Sequence, residues 1–346
     1  MCNKINILMT GAGAPGGPGI LEALSKSTYL NVITADANPR ASGRYLSSNF
    51  KEIPKALDNN FKDYLLDLCK AENIKLIFPL VTLELFVLSK FRDEFLENGI
   101  EVLVSDYGAL SAMNDKGALL KHLKECNLPC PEFEVVSDKE GLVRAVENLG
   151  YPTDTVVIKP CIGNGSRGIR VLDPKKDAYE LLFNEKPNSL FSKLDFVLEA
   201  IGDNSIPEMV VSEYMPGEEL TIDTVVFDGD VKELLIRSRD TMNSGISTAG
   251  RFVCNTEVET YIKNIINSFE GLRGSIGFQV KKASNGEYLL LESNPRIQGT
   301  SVAALGCGIN FPLLAVHEAL SLPLAQTKLD RNVGFCRYYK EVFYEY

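Results

Sequence analysis

Glu292, Asn294 and Arg296 stand at alternate positions in Glu-Ser-Asn-Pro-Arg, and an extended chain turns alternate side chains to one side. Pro295 biases Asn294 toward that extended backbone. A carboxylate, an amide and a guanidinium therefore face one spot. The apolar run 288–291 just before them is predicted to be a short buried strand. A neighbouring strand over 274–280 carries Gln279, with a turn at 283–287 between the two. Hard oxygen donors beside a cation suit a magnesium-bound polyphosphate. A surface ion pair at a strand end is the plainer reading, and the rest of the chain decides between them.

A second stretch points the same way. Val156–Pro160 reads as a strand carrying Lys159, followed by Cys161-Ile-Gly-Asn-Gly-Ser-Arg-Gly and a second strand over 169–172. Gly163, Gly165 and Gly168, with Ser166 and Arg167 among them, form a hairpin whose backbone N–H groups can close over phosphates while Lys159 supplies charge. Gly-Asn-Gly is also ordinary turn chemistry. Lys116 opens a helix capped by Asn114 or Asp115. A cation is ill placed at a helix N-terminus unless an anion is expected there.

Residues 209–226 read as strand, turn, strand. The linker 213–217 offers backbone groups to a crevice, with Tyr214 and Met215 as apolar walls and Glu218 or Glu219 able to accept from sugar hydroxyls. Arg237, Arg239 and Arg251 are dense cations for an acidic chain, in salt bridges on a sheet face or receiving phosphate oxygens. The segment 240–250 reads as polar and irregular, 256–269 as an amphipathic helix, and 311–321 as a helix with His317 a satisfied structural histidine. The aromatic tail 338–346 is expected to pack as a last strand.

The first hundred residues alternate strand and helix: Ile5–Thr10, a helix over 20–27, 32–35, a helix over 61–72, 75–79, a helix over 83–98, and 101–104. That alternation implies a parallel, doubly wound sheet. Gly11, Gly13 and Gly16, with Asp36 about twenty residues on, match the dinucleotide fingerprint. Pro15 and Pro18 remove N–H groups that such a loop would aim at a pyrophosphate. Thr82 and Glu84 lie where such sheets collect ligands, although Glu84 more simply charges a helix N-terminus.

A chain of 346 residues, 45% hydrophobic and 24% charged, has ample core for two or three domains. A net charge of −10 argues against a nucleic-acid surface. No apolar run approaches the roughly 20 residues of a membrane span, and the N-terminus has no signal-peptide layout. The eight cysteines are scattered without a metal-ligand spacing, so reduced thiols in a cytoplasmic protein are expected.

In order along the chain, Asn114-Asp-Lys-Gly, Val157-Ile-Lys-Pro, Gly163-Asn-Gly-Ser-Arg-Gly, Ser212-Glu-Tyr-Met-Pro-Gly-Glu-Glu, and Gly277-Phe-Gln-Val joined to Leu291-Glu-Ser-Asn-Pro-Arg-Ile-Gln-Gly resemble the ATP-grasp superfamily, in its carbamoyl-phosphate-synthase-like branch. The N-terminal region looks like that branch's pre-ATP-grasp domain. The resemblance implies an α/β fold with a doubly wound parallel-sheet domain over 1–112, a small lobe over 113–210 and a C-terminal lobe over 211–346. It implies that Lys116 and Lys159 contact ATP phosphates beneath the 163–168 loop. Glu213 and Met215 would meet adenine beside Tyr214, and Glu219 the ribose. Gln279 and Glu292 would bind magnesium or manganese, Asn294 a second ion, and Arg296 would lie near the transferred phosphate. Members activate a carboxylate as an acyl phosphate that an amine or similar nucleophile attacks.

A carboxylate–amine ligase using ATP and Mg²⁺ is therefore expected, with Arg296, Lys159, Arg237 and Arg239 at the chemistry. Its partners would be small molecules, not nucleic acid or membrane, and a homodimer is compatible with such folds. The rivals are an NAD(P)-dependent oxidoreductase built on Gly11–Gly16 and Asp36, and a noncatalytic ATP-binding regulator.

Overall fold

The computed structural model describes residues 4–163, 165, 167–184, 190–243, 245–323 and 329–345. It divides into a larger unit, Met1–Ser111, Leu220–Gln279 and Ser293–Tyr346, and a smaller one, Ala112–Glu219 and Val280–Glu292.

The larger unit opens with β1 (Ile5–Thr10), β2 (Leu30–Asp36), β3 (Phe50–Glu52), β4 (Ile74–Pro79) and β5 (Glu101–Val102). They form a sheet in the order β3-β2-β1-β4-β5, every pairing parallel. Helices cover such sheets on both faces, so their strands read as unbroken apolar runs. Ile7, Leu8 and Met9 are accordingly all fully buried. The chain winds outward from β1 in both directions, which makes the C-terminal ends of β1 and β4 the switch point where such sheets take ligands.

In the smaller unit, β6 (Phe133–Val136), β7 (Val156–Pro160), β8 (Arg170–Leu172), β9 (Phe191–Ser192) and β10 (Met209–Glu213) pair in the order β6-β10-β7-β8-β9. All neighbours are antiparallel except β8 and β9. One face carries Val156, Ile158, Leu172, Met209 and Val211, packed with Leu142, Ala145, Val146 and Leu194 from the helices Lys139–Asn148 and Leu194–Ile201. Strict alternation sends Lys159, between Ile158 and Pro160, to the other face.

A third sheet runs β13-β14-β12-β11-β15-β16, with β17 on β14. Its strands are β11 (Glu219–Phe227), β12 (Asp230–Ser238), β13 (Thr241–Asn243), β14 (Ile246–Val253), β15 (Gly274–Lys282), β16 (Tyr288–Asn294) and β17 (Gly334–Cys336). Val225, Phe227, Leu235 and Phe252 join a core with Met9, Ile20, Leu24, Phe311, Ala315 and Val316. The helix Thr256–Asn267, capped by Asn255 Oδ1, buries Val258, Tyr261, Ile262, Ile265 and Ile266 at helical spacing.

Three local expectations change. The helix expected over 83–98 is two, Thr82–Lys90 and Arg92–Glu97, because Phe91 leaves helical geometry at φ −113°, ψ 17°. The segment expected to be irregular over 240–250 contains the hairpin β13–β14, turning at Gly245 with φ +78°. Its exposed Thr241, Met242 and Asn243 carry no buried face, so no period-2 pattern announced it. The tail forms no strand over its described residues 338–345. Tyr338, Tyr339 and Phe343 are exposed, Tyr344 stacks on Tyr45 at 4.1 Å, and the strand lies earlier, at β17. Among the described residues no single helix is long and apolar enough to cross a membrane.

Candidate functional site

Within the smaller unit, three charged side chains meet. Asp115 caps the helix Lys116–Glu125 by accepting from Ala118 N at 2.9 Å. That cap fixes Lys116 in the first turn, where its side chain is buried. Its Nζ lies 3.7 Å from Glu292 Oε2 and donates to the Gly163 carbonyl at 3.3 Å. Lys159, 5% exposed, donates from Nζ to the Leu291 carbonyl at 3.0 Å. Burial lowers the Lys159 pKa to about 8, the Glu292 carboxylate pulling it up and the Lys116 ammonium pushing it down. Two buried ammoniums thus share one carboxylate. Taking each from water costs several kcal/mol unless compensated, so the pocket is short of negative charge. An anion corrects that deficit.

The glycine-rich segment joins β7 to β8, which pair antiparallel. Gly165 and Gly168 have φ of +66° and +76°, and a Cβ on Gly168 would lie 2.6 Å from the Pro160 ring. Gly163, Gly165, Arg167 and Gly168 are exposed. Ser166 lies outside the described residues.

The apolar wall adjoins the cations through Leu291. Met215, 4% exposed, packs with Ala283, Leu289 and Leu291. Glu213 is pinned to the neighbouring chain, its N–H donating to Glu132 O and its carboxylate accepting from Glu132 N, both at 3.0 Å. Tyr214 faces the Lys281 ammonium, 5.3 Å from the ring centroid. Glu218 accepts from Tyr288 Oη, and Glu219 begins β11. An apolar cluster beside paired cations is the kind of neighbourhood a nucleotide needs.

Gln279 and Asn294 fall in the larger unit and Glu292 in the smaller. All three offer oxygen donors, and among the described residues no cluster of three or more His, Cys, Asp or Glu stands ready to cage a metal. Carboxamide and carboxylate oxygens are donors that suit Mg²⁺ whose remaining ligands are phosphate oxygens.

Other candidates belong to the larger unit. Arg296 donates from Nε to Thr82 Oγ1 at 3.3 Å, at the C-terminal end of the parallel sheet. The three arginines, read as sheet-face salt bridges or as a phosphate-receiving cluster, each bond a different group. Arg237 is 1% exposed and bonds Asp223 Oδ2 at 2.8 Å. Arg239 donates to the Gly245 carbonyl at 2.6 Å, and exposed Arg251 pairs with Asp240 at 3.2 Å. The network in which Asp223 and Thr300 meet Arg237, while Gln298 and Ser301 donate to Asp223, was not anticipated. An Asp inside the apolar run Leu-Thr-Ile-Asp-Thr-Val-Val and an Arg inside Leu-Leu-Ile-Arg were its legible signal, since buried charges come paired.

Glu84 departs most from expectation. It is not a solvated helix charge but 5% exposed, accepting from Thr10 Oγ1 at 2.5 Å. Burial raises its pKa to about 7, the Thr10 hydrogen bond opposing and the Asp36 charge adding to the rise. The glycine loop is explained by packing. Asp36 Oδ2 accepts from Gly13 N at 2.7 Å, a Cβ on Gly16 would sit 2.2 Å from Gly299 Cα, and one on Gly17 2.6 Å from the Ala12 carbonyl. His317 is satisfied as expected, between Tyr29 Oη and the Pro323 carbonyl.

The fold has counterparts among known proteins. Residues 205–336 match the family model described as ATP-grasp in the biosynthetic pathway with Ter operon, and residues 7–103 match that of the PylC-like N-terminal domain. The carbamoyl phosphate synthase large chain of Clostridium acetobutylicum is 24% identical over 239 residues, covering 65% of this chain but only 20% of that protein. Among solved structures, an ADP complex of N5-carboxyaminoimidazole ribonucleotide synthetase superposes with a TM-score of 0.72 at 14% identity, covering 96% of this chain and 81% of the other. The Staphylococcus aureus N5-carboxyaminoimidazole synthetase complexed with ADP gives 0.70 at 16% identity, with coverages of 95% and 81%.

Proposed function

We propose, from the premise that this chain carries an ATP-grasp domain behind a PylC-like N-terminal domain, that it is an ATP-dependent carboxylate–amine ligase. A carboxylate oxygen attacks the γ-phosphorus of ATP and ADP leaves. The amine then attacks the acyl carbon, and phosphate and a proton depart. The chain spans a fifth of the synthase large chains it resembles, and no synthase reaction is assigned to it.

The observation that carries this reading is the pair of buried ammoniums, Lys116 and Lys159, set against the single carboxylate of Glu292. Phosphoryl transfer asks a protein chiefly for positioning and charge neutralisation. Lys116 and Lys159 would hold phosphate oxygens, with the 163–168 hairpin over them. Met215, Leu289 and Leu291 would wall the adenine, the Glu213–Met215 backbone would meet its edge, and Glu219 would take the ribose. Glu292, Gln279 and Asn294 would ligate Mg²⁺, which supplies Lewis-acid neutralisation of phosphate charge when bound. Arg296 would face the transferred group, with Arg237 and Arg239 toward the acceptor. The division into 1–112, 113–210 and 211–346 is part of the same proposal.

The test is a screen of carboxylate and amine pairs for ADP release with Mg·ATP. At least one pair is expected to release ADP in step with product, and Lys159→Ala or Glu292→Ala to abolish release while the fold persists. Mg·ATP binding without ADP release in any mixture would instead indicate a nucleotide-binding regulator.

A further inference from the structure

Among the described residues Arg237 is the largest fully buried side chain, and its guanidinium is only partly satisfied. Nε donates to Asp223 Oδ2 at 2.8 Å and Nη2 to Thr300 Oγ1. Nη1 is buried without any hydrogen-bond partner. Asp223 has little left to offer, because its Oδ1 already accepts from Ser301 Oγ at 2.6 Å and Gln298 Nε2 at 3.2 Å.

A second guanidinium approaches the first. Arg337 follows β17, held by its backbone N–H on the Thr248 carbonyl at 2.7 Å. Phe335, two residues earlier, places its ring centroid 5.8 Å from Arg237 Cζ. The Arg337 side chain is half-buried and reaches the Pro15 carbonyl at 3.5 Å, and no carboxylate pairs with it among the described residues. Burial, and then the Arg237 charge, lower its pKa. Two guanidiniums therefore stand against one carboxylate in a partly desolvated place. A buried cation without its counter-charge is costly, and a guanidinium fork matches an oxyanion in shape as well as charge.

The surroundings also favour a ligand. Pro15 belongs to the loop after β1, and Gly16 of that loop abuts Gly299, the residue before Thr300. The two arginines thus border the end of the parallel sheet at its switch point. The glycine loop, whose Gly13 N–H is spent on Asp36, contributes close approach instead of an anion nest.

We propose that Arg237 and Arg337 form a binding site for an oxyanion of the acceptor substrate, a carboxylate or phosphate distinct from the nucleotide's own phosphates. That the anion belongs to the acceptor rests on the ligase reading; the site itself does not.

The test uses the full chain carrying Lys159→Met, which keeps the paired lysines from competing for the probe. Inorganic phosphate and acetate are titrated separately while thermal unfolding is followed, with and without Arg337→Gln. One or both probes are expected to raise the melting temperature, and Arg337→Gln to cut that rise by at least half, with Arg337→Lys restoring part of it. A response to phosphate alone assigns a phosphate-bearing acceptor, and to acetate alone a carboxylate. No rise with either probe, or a rise untouched by Arg337→Gln, overturns the proposal. Mg·ATP binding to the wild-type protein is measured alongside. If the protein with Lys159 and Arg337 both intact binds no Mg·ATP while the oxyanion response persists in Lys159→Met, the ligase reading falls and this one stands.

Discussion

Lys116 Nζ lies 3.7 Å from Glu292 Oε2, and the same carboxylate is the charge that pulls upward on the Lys159 pKa. One anion between two buried cations is a poor arrangement for stability and a good one for receiving polyphosphate. Function of this kind is commonly kept at a cost in stability.

Lys159→Met should therefore stabilise the ligand-free protein at pH 7. The folded pKa is depressed from 10.5 to about 8, so the unfolded chain binds more protons between those values and wild-type stability rises with pH across them. Below about pH 8 the destabilisation is fully present. Urea unfolding should show Lys159→Met more stable by about 1–3 kcal/mol at pH 7, with the difference shrinking toward pH 10. ATP turnover should fall by about 10²-fold or more.

Glu84 gives the opposite slope. Its folded pKa is raised from 4.5 to about 7, so the native state holds a proton that the unfolded chain releases. That contribution is fully present below about pH 4.5 and is lost as pH rises through about 7. Glu84→Gln removes the titration. The wild type should lose about 3 kcal/mol relative to Glu84→Gln between pH 4.5 and 7.5, as read by denaturant midpoints at each pH.

The parallel sheet was legible because strands buried on both faces leave apolar runs such as Ile5–Thr10, bounded by glycine and helix signals. Lys116, Lys159 and Glu292 were legible because Lys116 opens a helix and the other two lie in strands whose type is plain. Glu84 was not, since a carboxylate in a helix's first turn looks the same whether Thr10 covers it or water does. Arg337 was hidden in an aromatic tail whose residues gave no period. The β13–β14 hairpin, with exposed side chains along β13, left no trace in hydrophobic patterning.

The glycine loop makes its own prediction. A Cβ on Gly16 would meet Gly299 Cα at 2.2 Å, where neither backbone can yield cheaply. Gly16→Ala should cost about 1–3 kcal/mol by overpacking, seen as a lower thermal midpoint. Because Asp36 is engaged by Gly13 N–H, NADH should give no saturable fluorescence change. Micromolar NADH binding would restore the oxidoreductase reading.

The most direct measurement is calorimetric titration of Mg·ADP into the wild type and into Lys116→Met and Lys159→Met. Micromolar binding to the wild type is expected, weakened at least about tenfold, or about 1.4 kcal/mol, by either substitution. Binding that is absent from the wild type, or equally tight in all three proteins, would contradict a phosphate grip built from these two lysines.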